Sequence, residues 1–386
     1  PTSYSTKPSS LPRKSLPKFA KLKQRLPMFK SLLDQPDSYK KDSLRVYDSI
    51  LGLGQQIDQA WIEAGNQTLH TKCHLAKNIV IAGMGGSALP GRIIRSLDQY
   101  ILNLPLEVVS NYRLPNYVDR NTLVILSSYS GNTEETLSCA HDAAARQAKI
   151  FIVTTGGKLL DYAKHHQLDH YHIDPRANPS NQPRLGLGYS ITAVFAVLAR
   201  CGFINFGEKD IEAIKALLEK LNQNFRQETP FDHNPAKQIA EKLRDRAVVL
   251  ISANHLNGTV HALKNMLNEN SKVFATQFDL PELCHHFLEG LSYPKDLKNQ
   301  VHFVLLNSDH YPKAIQHRLT ITRQILDKHG FATTVIKPEA DQPTLQAFEV
   351  LAFGAFLSFY LAALYRIDPG PIPSVDYLKT ALAKMS

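Results

Sequence analysis

Short apolar runs alternate with longer segments of helical spacing along most of the chain. A helix is predicted first, from about residue 45 ("DSLRVYDSILGLGQQIDQAWIEA"). Five runs typical of buried strands follow it: "NIVIAG" (78–83), "LEVVS" (106–110), "TLVILSS" (122–128), "KIFIVTT" (149–155) and "HYHI" (170–173). This alternation predicts a doubly wound parallel sheet that is covered by helices on both faces.

The alternation restarts after a polar stretch of helical spacing. The second set of predicted strands is "RAVVLIS" (246–252), "KVFATQF" (272–278), "VHFVLLN" (301–307) and "ATTVIK" (332–337). Two further helices, "TLQAFEVLAFGAFLSFYLAALY" and "VDYLKTALAKM", end the pattern. We therefore predict a basic arm over residues 1–41, a first αβ domain over 42–205, a helical connector over 206–235 and a second αβ domain over 236–386.

The positive charge of the chain is concentrated near its first residues. Residues 1–41 hold ten Lys or Arg against Asp34 and Asp37, which gives this segment +8 of the total net charge of +9. A basic segment rich in Ser and Pro is typical of a solvated, poorly ordered arm. Weak binding to RNA or to an anionic surface, and a transit peptide, stay open as alternatives. Because the rest of the chain is close to neutral, nucleic acid is not the partner we expect.

The cysteine spacing and the hydropathy of the chain predict its cellular compartment. The four cysteines, Cys73, Cys139, Cys201 and Cys284, are far apart and form no CxxC pair. This spacing argues against structural zinc and favours free or core thiols in a reducing cytosol. No apolar run approaches the roughly 18–20 residues of a membrane-spanning helix, and the first residues do not resemble a secretory signal. We expect a cytoplasmic protein without membrane association.

A glycine-rich loop follows the first predicted strand. In "GMGGSALPG" (83–91), glycines let backbone amides approach an anion, and Ser87 opens the next helix. The loop also matches a GxGxxA dinucleotide-binding spacing. However, the next strand ends in Ser110 and Asn111, where an acidic residue would be expected to bind a ribose. We therefore predict an anion site and no cofactor.

Hydroxyl groups crowd the turn after the third predicted strand. The stretch "VILSSYSGNTEETL" (124–137) places Ser127, Ser128, Ser130 and Thr133 around one glycine. Helix capping needs one hydroxyl, and this turn supplies several. A phosphate offers three or four acceptor oxygens and is stabilised at a helix N-terminus. Because the turn holds no lysine or arginine, it predicts a cradle for a sugar phosphate rather than for a nucleoside triphosphate.

Several motifs resemble a known family. The pair "GMGGS" and "SSYSGNTEET" resembles a sugar isomerase (SIS) domain. The motifs "QPRLGLG", "LNENSK", "PELCHHFLEG" and "DPGPIPSVDYLK" extend the resemblance to the bifunctional phosphoglucose/phosphomannose isomerases, from about residue 45 to the end. The resemblance implies two doubly wound parallel-sheet SIS domains in tandem, each a flavodoxin-like αβα sandwich. It also implies a homodimer with shared active sites, in which the ring-opening histidine comes from the partner chain.

The resemblance further implies roles for particular residues. Glu269 is the expected catalytic base, Arg184 the cation that opposes developing negative charge, and His285 the group that opens the sugar ring. The expected substrate-binding residues are Gly85, Gly86, Ser87, Ser128, Ser130, Thr133 and Lys379. No metal ligands are expected.

The chain departs from the family pattern at two places. The family's Asn-His-Asn-Glu motif reads Cys284-His285-His286-Phe287 here, so His286 stays open as an alternative to His285. The family's threonine in a "DP-Thr-P" motif is replaced by Gly370. Mannose 6-phosphate is therefore a less expected substrate than glucose 6-phosphate.

The implied reaction moves one proton between C1 and C2 of a sugar phosphate through a cis-enediol. A single carboxylate can shuttle that proton, which suits Glu269, and a histidine that titrates near neutrality suits ring opening. We predict an aldose–ketose isomerase of glucose 6-phosphate and fructose 6-phosphate. Two alternatives stay open: an isomerase of another sugar phosphate, and a non-catalytic SIS protein that binds a sugar phosphate.

Overall fold

The first sheet is parallel throughout and has the strand order β2-β1-β3-β4-β5. A computed structural model describes residues 31–382 and 384–385. The strands of this sheet are β1 (Asn78–Ala82), β2 (Leu106–Val109), β3 (Thr122–Ser127), β4 (Lys149–Thr154) and β5 (Asp169–His172). The five predicted strands are confirmed, and their order is that of flavodoxin-like folds.

The second sheet is also parallel and has the order β7-β6-β8-β9. Its strands are β6 (Ala247–Ala253), β7 (Ala275–Leu280), β8 (Val301–Leu306) and β9 (Ala332–Ile336). In each sheet the first strand lies between the second and the third, so the strand order reverses beside β1 and beside β6. Ligands bind at such reversals in open α/β sheets, outside the carboxyl ends of the strands.

Helices cover the faces of the two sheets. They are α1 (Val46–Leu51), α2 (Leu53–Gly65), α3 (Leu89–Ser96), α4 (Asp98–Ile101), α5 (Glu134–Ala145), α6 (Gly157–His165), α7 (Leu187–Arg200), α8 (Glu208–Phe225), α9 (Pro235–Leu243), α10 (Asn257–Glu269), α11 (Leu297–Gln300), α12 (Lys313–Lys328), α13 (Pro343–Leu364) and α14 (Pro373–Leu382). The helix predicted from about residue 45 is divided into α1 and α2 at Gly52. A Cβ atom at Gly52 would lie 2.3 Å from the carbonyl oxygen of Ala177, so glycine permits this close approach.

Two groups of buried side chains hold the layers together. The smaller group fills the space between the first sheet and the helices α5 and α6, with Val124 and Ile152 among its members. The larger group lines the opposite face of the first sheet and continues through α7, α10 and α13 to the second sheet. One continuous core therefore joins the two sheets, which fixes the loops of one sheet relative to those of the other.

Helix α13 is the most apolar helix of this core. It has 22 residues, and the mean hydropathy of its most apolar 18-residue window is 1.9, so its length and composition would allow it to cross a membrane. Within the protein, 94% of its most apolar 18-residue window is buried. The expectation that no apolar run reaches this length is therefore wrong, because a core helix that is covered on all sides is apolar on all sides.

Part of the predicted basic arm packs on the core. Residues 1–30 lie outside the described residues, whereas residues 31–41 contain two 3₁₀ turns. Leu33 is fully buried, and Asp34 accepts a hydrogen bond from Nζ of the buried Lys237 at 3.0 Å. The boundary at residue 41 is wrong because apolar side chains and an ion pair with the buried Lys237 attach part of residues 31–41 to the core.

Two of the four cysteines are not free thiols. Cys73, in a 3₁₀ turn before β1, and Cys201, directly after α7, form a disulfide. They are 128 residues apart in the sequence, but the fold brings their Cα atoms to 5.7 Å. Cys139 and Cys284 are free, as expected. The expectation failed for Cys73 and Cys201 because distance along the chain does not limit contact in the folded protein.

Candidate active site

Two loops meet where β1 and β3 end side by side. The glycine loop runs from β1 to α3, and the hydroxyl loop runs from β3 to α5. The backbone N–H of Tyr129 donates to Oγ of Ser87 at 2.9 Å, which joins the two loops. Ser87 is buried, and its own hydroxyl hydrogen can still be donated to a ligand.

The hydroxyls of the second loop form a compact group beside the N-terminus of α5. Oγ of Ser128 lies 2.9 Å from Oγ1 of Thr133 and accepts from the N–H of Gly131 at 3.1 Å. Oγ of Ser130, on the exposed side, accepts from the N–H of Asn132 at 3.3 Å. Thr133 precedes α5, but its side chain makes no capping hydrogen bond. The hydroxyl of Thr133 is therefore not explained by capping and is positioned to bind an anion.

Gly131 gives this loop its shape. Its φ is +68°, and a Cβ atom would lie 1.7 Å from the carbonyl oxygen of Gly156. No other residue fits there without moving the backbone. The single glycine among the hydroxyls therefore keeps Ser128 and Ser130 on the same tight turn.

A second group of polar residues surrounds the guanidinium of Arg184, whose side chain is only 1% exposed. Its acceptors are Asn270 Oδ1 (2.6 Å from Nε), Gln182 Oε1 and Glu269 Oε2 (2.8 and 3.3 Å from Nη1), and the carbonyl oxygens of Pro369 and Gly370 (3.0 and 2.7 Å from Nη2). These contacts use all five N–H groups of the guanidinium. Arg184 thus ties together three chain segments that are far apart in sequence, and we call this group the arginine cluster.

Glu269 is the last residue of α10 and the carboxylate of the arginine cluster. Its side chain is 28% exposed, so a ligand can reach it. Burial raises the pKa of Glu269, while the charges of Arg184, Lys379 and Lys272 act in the opposite direction. A carboxyl with a raised pKa and a cationic neighbour is suited to take up and return a proton.

Two members of the arginine cluster were not singled out from the sequence. Asn270 is fully buried, accepts from Arg184 and donates to Oγ of Ser358 at 3.0 Å. Gln182 accepts from Arg184 at 2.8 Å. Both stand within motifs that the sequence did single out, "LNENSK" and "QPRLGLG". Their positions beside Glu269 and Arg184 in the sequence could have indicated a role in the site. No rule of sequence spacing, however, predicts that their side chains contact Arg184.

The hydroxyl groups of Ser87, Ser128, Ser130 and Thr133, which we call the hydroxyl cradle, lie next to the arginine cluster. A Cβ atom at Gly86 would lie 3.1 Å from the backbone nitrogen of Arg184 and 3.2 Å from Pro183. The glycine loop that includes Gly85, Gly86 and Ser87 therefore packs directly on the turn that carries Arg184. Predicted phosphate-binding and catalytic residues from both αβ domains meet at one edge of the first sheet.

Two predicted site residues lie at the margin of this arrangement or outside it. Lys379, on α14, is exposed, and its charge acts on Glu269. His285 is exposed in the 3₁₀ turn Glu282–His285 after β7. Within residues 31–382 and 384–385, the His285 side chain makes no hydrogen bond or ion pair. Nε2 of His286 lies 3.8 Å from Glu282. Within the described residues, neither histidine side chain makes a hydrogen bond or ion pair with the arginine cluster of its own chain.

The described residues do not contain a group of three or more His, Cys, Asp or Glu side chains placed to hold a metal ion. In the site itself, one oxygen of Glu269 is engaged by Arg184. The donors of the cradle are hydroxyls and backbone N–H groups, which bind anions. The residues that are present are therefore suited to a phosphorylated ligand.

Two known families match separate parts of the chain. The SIS domain family matches residues 74–199, and the family of the bacterial phospho-glucose isomerase C-terminal SIS domain matches residues 232–382. A solved structure of a hypothetical protein from Thermus thermophilus shares the fold. Its TM-score is 0.68 at 16% identity, over 87% of this chain and 90% of that chain. The fold and the site thus define a protein with two SIS domains in tandem.

Curated relatives identify the family more closely. A bifunctional phosphoglucose/phosphomannose isomerase from Caldicellulosiruptor bescii is 34% identical over 347 residues, which are 88% of this chain and 99% of that protein. One from Aquifex aeolicus is 31% identical over 309 residues, 80% of this chain and 91% of that protein. The chain belongs to the bifunctional phosphoglucose/phosphomannose isomerase family.

Proposed function

We propose that this protein is an aldose–ketose isomerase, an intramolecular oxidoreductase that interconverts glucose 6-phosphate and fructose 6-phosphate. The observation that carries the proposal is the position of Glu269. This carboxylate is accessible, lies 3.3 Å from a buried arginine and belongs to a site that also contains a hydroxyl cradle for phosphate. The nearly full-length similarity to curated isomerases supports the same conclusion.

In this mechanism the cradle binds the phosphate and leaves the sugar to extend toward Glu269. Ser87, Ser130 and one hydroxyl of the pair Ser128 and Thr133 donate hydrogen bonds to the phosphate oxygens, because the other hydroxyl of that pair donates to its neighbour. Glu269 takes the proton from C2 of the open-chain aldose, the C1 oxygen gains a proton, and a cis-enediol forms. Glu269 then returns its proton to C1 while the C2 hydroxyl gives a proton to solvent, equal to the one that the C1 oxygen took from it, and becomes the ketone. No atom is gained or lost overall.

Arg184 acts on this reaction mainly through Glu269. Because its five N–H groups all have acceptors within the protein, it has no further donor for the oxygens of the enediol. Its positive charge still lowers the energy of negative charge that develops nearby, and it opposes the effect of burial on the pKa of Glu269. We therefore assign Arg184 an electrostatic and orienting role.

The ring-opening histidine is proposed to come from a second copy of the chain. His285 is exposed, and within the described residues its side chain makes no hydrogen bond or ion pair with the arginine cluster of its own chain, so it is available to a partner subunit. A homodimer with shared active sites would then complete the site. His286 stays open as the alternative, because it is also exposed and is adjacent.

Glucose 6-phosphate is favoured over mannose 6-phosphate because of the surroundings of Gly370. A Cβ atom at this position would lie 2.8 Å from Cβ, Cγ and Cδ1 of Leu44. The threonine that the family has there would not fit unless Leu44 moved. Leu44 therefore occupies the space that a side chain at position 370 would need, and we expect slower turnover of mannose 6-phosphate.

The cytoplasmic location and the absence of nucleic-acid and membrane partners stay predictions. The disulfide between Cys73 and Cys201 removes one argument for a reducing compartment, because disulfides persist mainly in oxidising surroundings. The buried position of α13 is consistent with a core helix rather than a membrane anchor.

A coupled assay tests the proposed activity. Purified protein is given fructose 6-phosphate or mannose 6-phosphate in the presence of EDTA, and glucose 6-phosphate is detected from the first substrate and fructose 6-phosphate from the second. We expect turnover of both, with mannose 6-phosphate the slower. Binding of both sugar phosphates without turnover of either would favour the non-catalytic SIS alternative, and turnover of only another sugar phosphate would favour an isomerase of that sugar. Loss of activity in EDTA that a divalent metal restores would contradict the metal-free mechanism.

A further inference from the structure

Lys272 has a backbone conformation that lysine rarely adopts. It follows the C-terminus of α10 with a φ of +56°, in the left-handed region that favours glycine. A side chain in this region strains the backbone, and such strain persists where the surrounding contacts compensate for it. The contacts of the Lys272 side chain therefore need an explanation.

The ammonium of Lys272 is surrounded by main-chain carbonyl groups. Nζ lies 2.8 Å from the oxygen of Glu269 and 3.1 Å from that of Asp368, with longer contacts to Asn270 (3.3 Å) and Pro369 (3.4 Å). An ammonium has three N–H groups, so these four oxygens share them. We call these four oxygens the carbonyl cage. A set of neutral oxygens around one compact positive charge is also what a small monovalent cation prefers.

The carbonyl cage joins the same two segments as the arginine cluster. Two of its oxygens belong to the end of α10, where the helix dipole is negative, and two belong to the turn at residues 368–369. Arg184 binds the carbonyl of Pro369 as well. The turn is thus held by two cations, and α10 ends at the proposed catalytic base.

We propose that the ammonium of Lys272 is a tethered monovalent cation that fills the carbonyl cage and holds Glu269 in its catalytic position. Lys272 is then a positioning residue, and this role rests on the isomerase function proposed above. Lys328 provides the contrast. It ends α12 and is exposed, and within residues 31–382 and 384–385 its side chain makes no hydrogen bond or ion pair. A lysine at the end of a helix therefore does not form such a cage by default.

The test compares Lys272→Gly and Lys272→Met with the control Lys328→Met. Glycine removes the ammonium and also relieves the left-handed backbone, so Lys272→Gly should fold at least as readily as Lys272→Met. In a buffer with tetramethylammonium as the only monovalent cation, both Lys272 variants should lose about tenfold in kcat, because a displaced catalytic group slows turnover. Their KM should stay close to that of the wild type, since the hydroxyl cradle is unchanged.

Ammonium ions provide the decisive measurement. Ammonium chloride at the same ionic strength should restore the kcat of Lys272→Gly, because the free ion can enter the empty cage, whereas tetramethylammonium is too large. For the wild type and for Lys328→Met, kcat should be the same in ammonium chloride as in tetramethylammonium chloride. Wild-type kcat in Lys272→Gly without ammonium, or a loss of kcat that ammonium does not restore, would overturn the proposal.

A stability measurement separates this proposal from the proposed function. If the wild type has no isomerase activity, the cage is tested through the thermal unfolding midpoint of Lys272→Gly alone. An ion that binds only the folded protein raises this midpoint. The midpoint should be higher in ammonium chloride than in tetramethylammonium chloride for Lys272→Gly, with no such difference for Lys328→Met. Equal responses of the two variants would overturn the cage as well.

Discussion

The hydroxyl cradle and the arginine cluster lie side by side, yet they are built in opposite ways. The cradle is formed by short neutral side chains from two loops that follow adjacent strands. The arginine cluster is formed by charged groups and amides from segments around residues 184, 270 and 370. The hydroxyl cradle is neutral until a phosphate binds. The arginine cluster contains buried charged groups, which must be stabilised by the protein before any ligand binds.

This difference separates binding from chemistry within one site. The cradle can rely on N–H and O–H groups because an anion at a helix N-terminus needs donors and not a countercharge. The proposed base needs a defined pKa and a defined position, and both depend on buried charges that are held by hydrogen bonds. Changes in the cradle should therefore affect affinity, and changes in the cluster should affect turnover.

The change with the largest expected effect is Glu269→Gln. The amide keeps the shape of the side chain but cannot accept the carbon-bound proton, so kcat should fall by about 10²- to 10⁴-fold. The affinity for sugar phosphate should stay within a few fold, because the phosphate contacts are unchanged. Steady-state kinetics and equilibrium binding of fructose 6-phosphate measure the two quantities separately.

Two further results test the roles of Glu269 and of the two histidines. A loss of affinity as large as the loss of turnover would mean that Glu269 binds the substrate rather than moving its proton. Glu269→Gln and His285→Ala can also be unfolded and refolded together to form heterodimers. If each active site takes residues from both subunits, some of these heterodimers have one intact site and activity should partly recover. Activity of His285→Ala on its own, together with an inactive His286→Ala that regains activity when it is refolded with Glu269→Gln, would identify His286 as the ring-opening residue.

The cradle should show the opposite pattern. Replacing Ser128, Ser130 and Thr133 together with alanine should weaken binding of fructose 6-phosphate by about 100-fold, since each hydrogen bond to a charged phosphate contributes free energy in the ground state and in the transition state alike. The kcat at saturation should change much less. Ser87→Ala alone is the matched control for a single lost hydroxyl and should have a smaller effect.

A fall in kcat as large as the rise in KM would contradict this division of roles. Such a result would mean that the phosphate contacts strengthen as the enediol forms. The affinity of the same variants for inorganic phosphate distinguishes contacts made in the ground state from contacts that strengthen in the transition state. Inorganic phosphate binds the cradle without any proton transfer.

The sequence predicted the cradle better than the arginine cluster. Each loop of the cradle is a continuous motif directly after a buried strand, and parallel strands bring their carboxyl ends together. The family resemblance supplied Arg184 and Glu269, but their contact spans 85 residues. The pairing of Asn270 with Ser358, the cage around Lys272 and the disulfide all depend on which helices pack together. No local periodicity encodes such packing.

The smallest expected effect concerns the electrostatic surroundings of Glu269. Burial raises the pKa of this carboxyl, and Arg184, Lys379 and Lys272 are the cations that oppose the rise. The base must be ionised to act, so kcat/KM falls as the pH drops through its pKa. Lys379→Met removes one opposing charge, and the acidic limb of the pH profile should therefore move to higher pH.

Lys379→Arg and Lys328→Met should leave the limb in place, and the shift should shrink at high salt because Lys379 is exposed. A limb that moves to lower pH, or a shift that salt does not reduce, would contradict this effect of the Lys379 charge on the base. A rise in KM with the limb in place would show that Lys379 acts on the substrate phosphate instead.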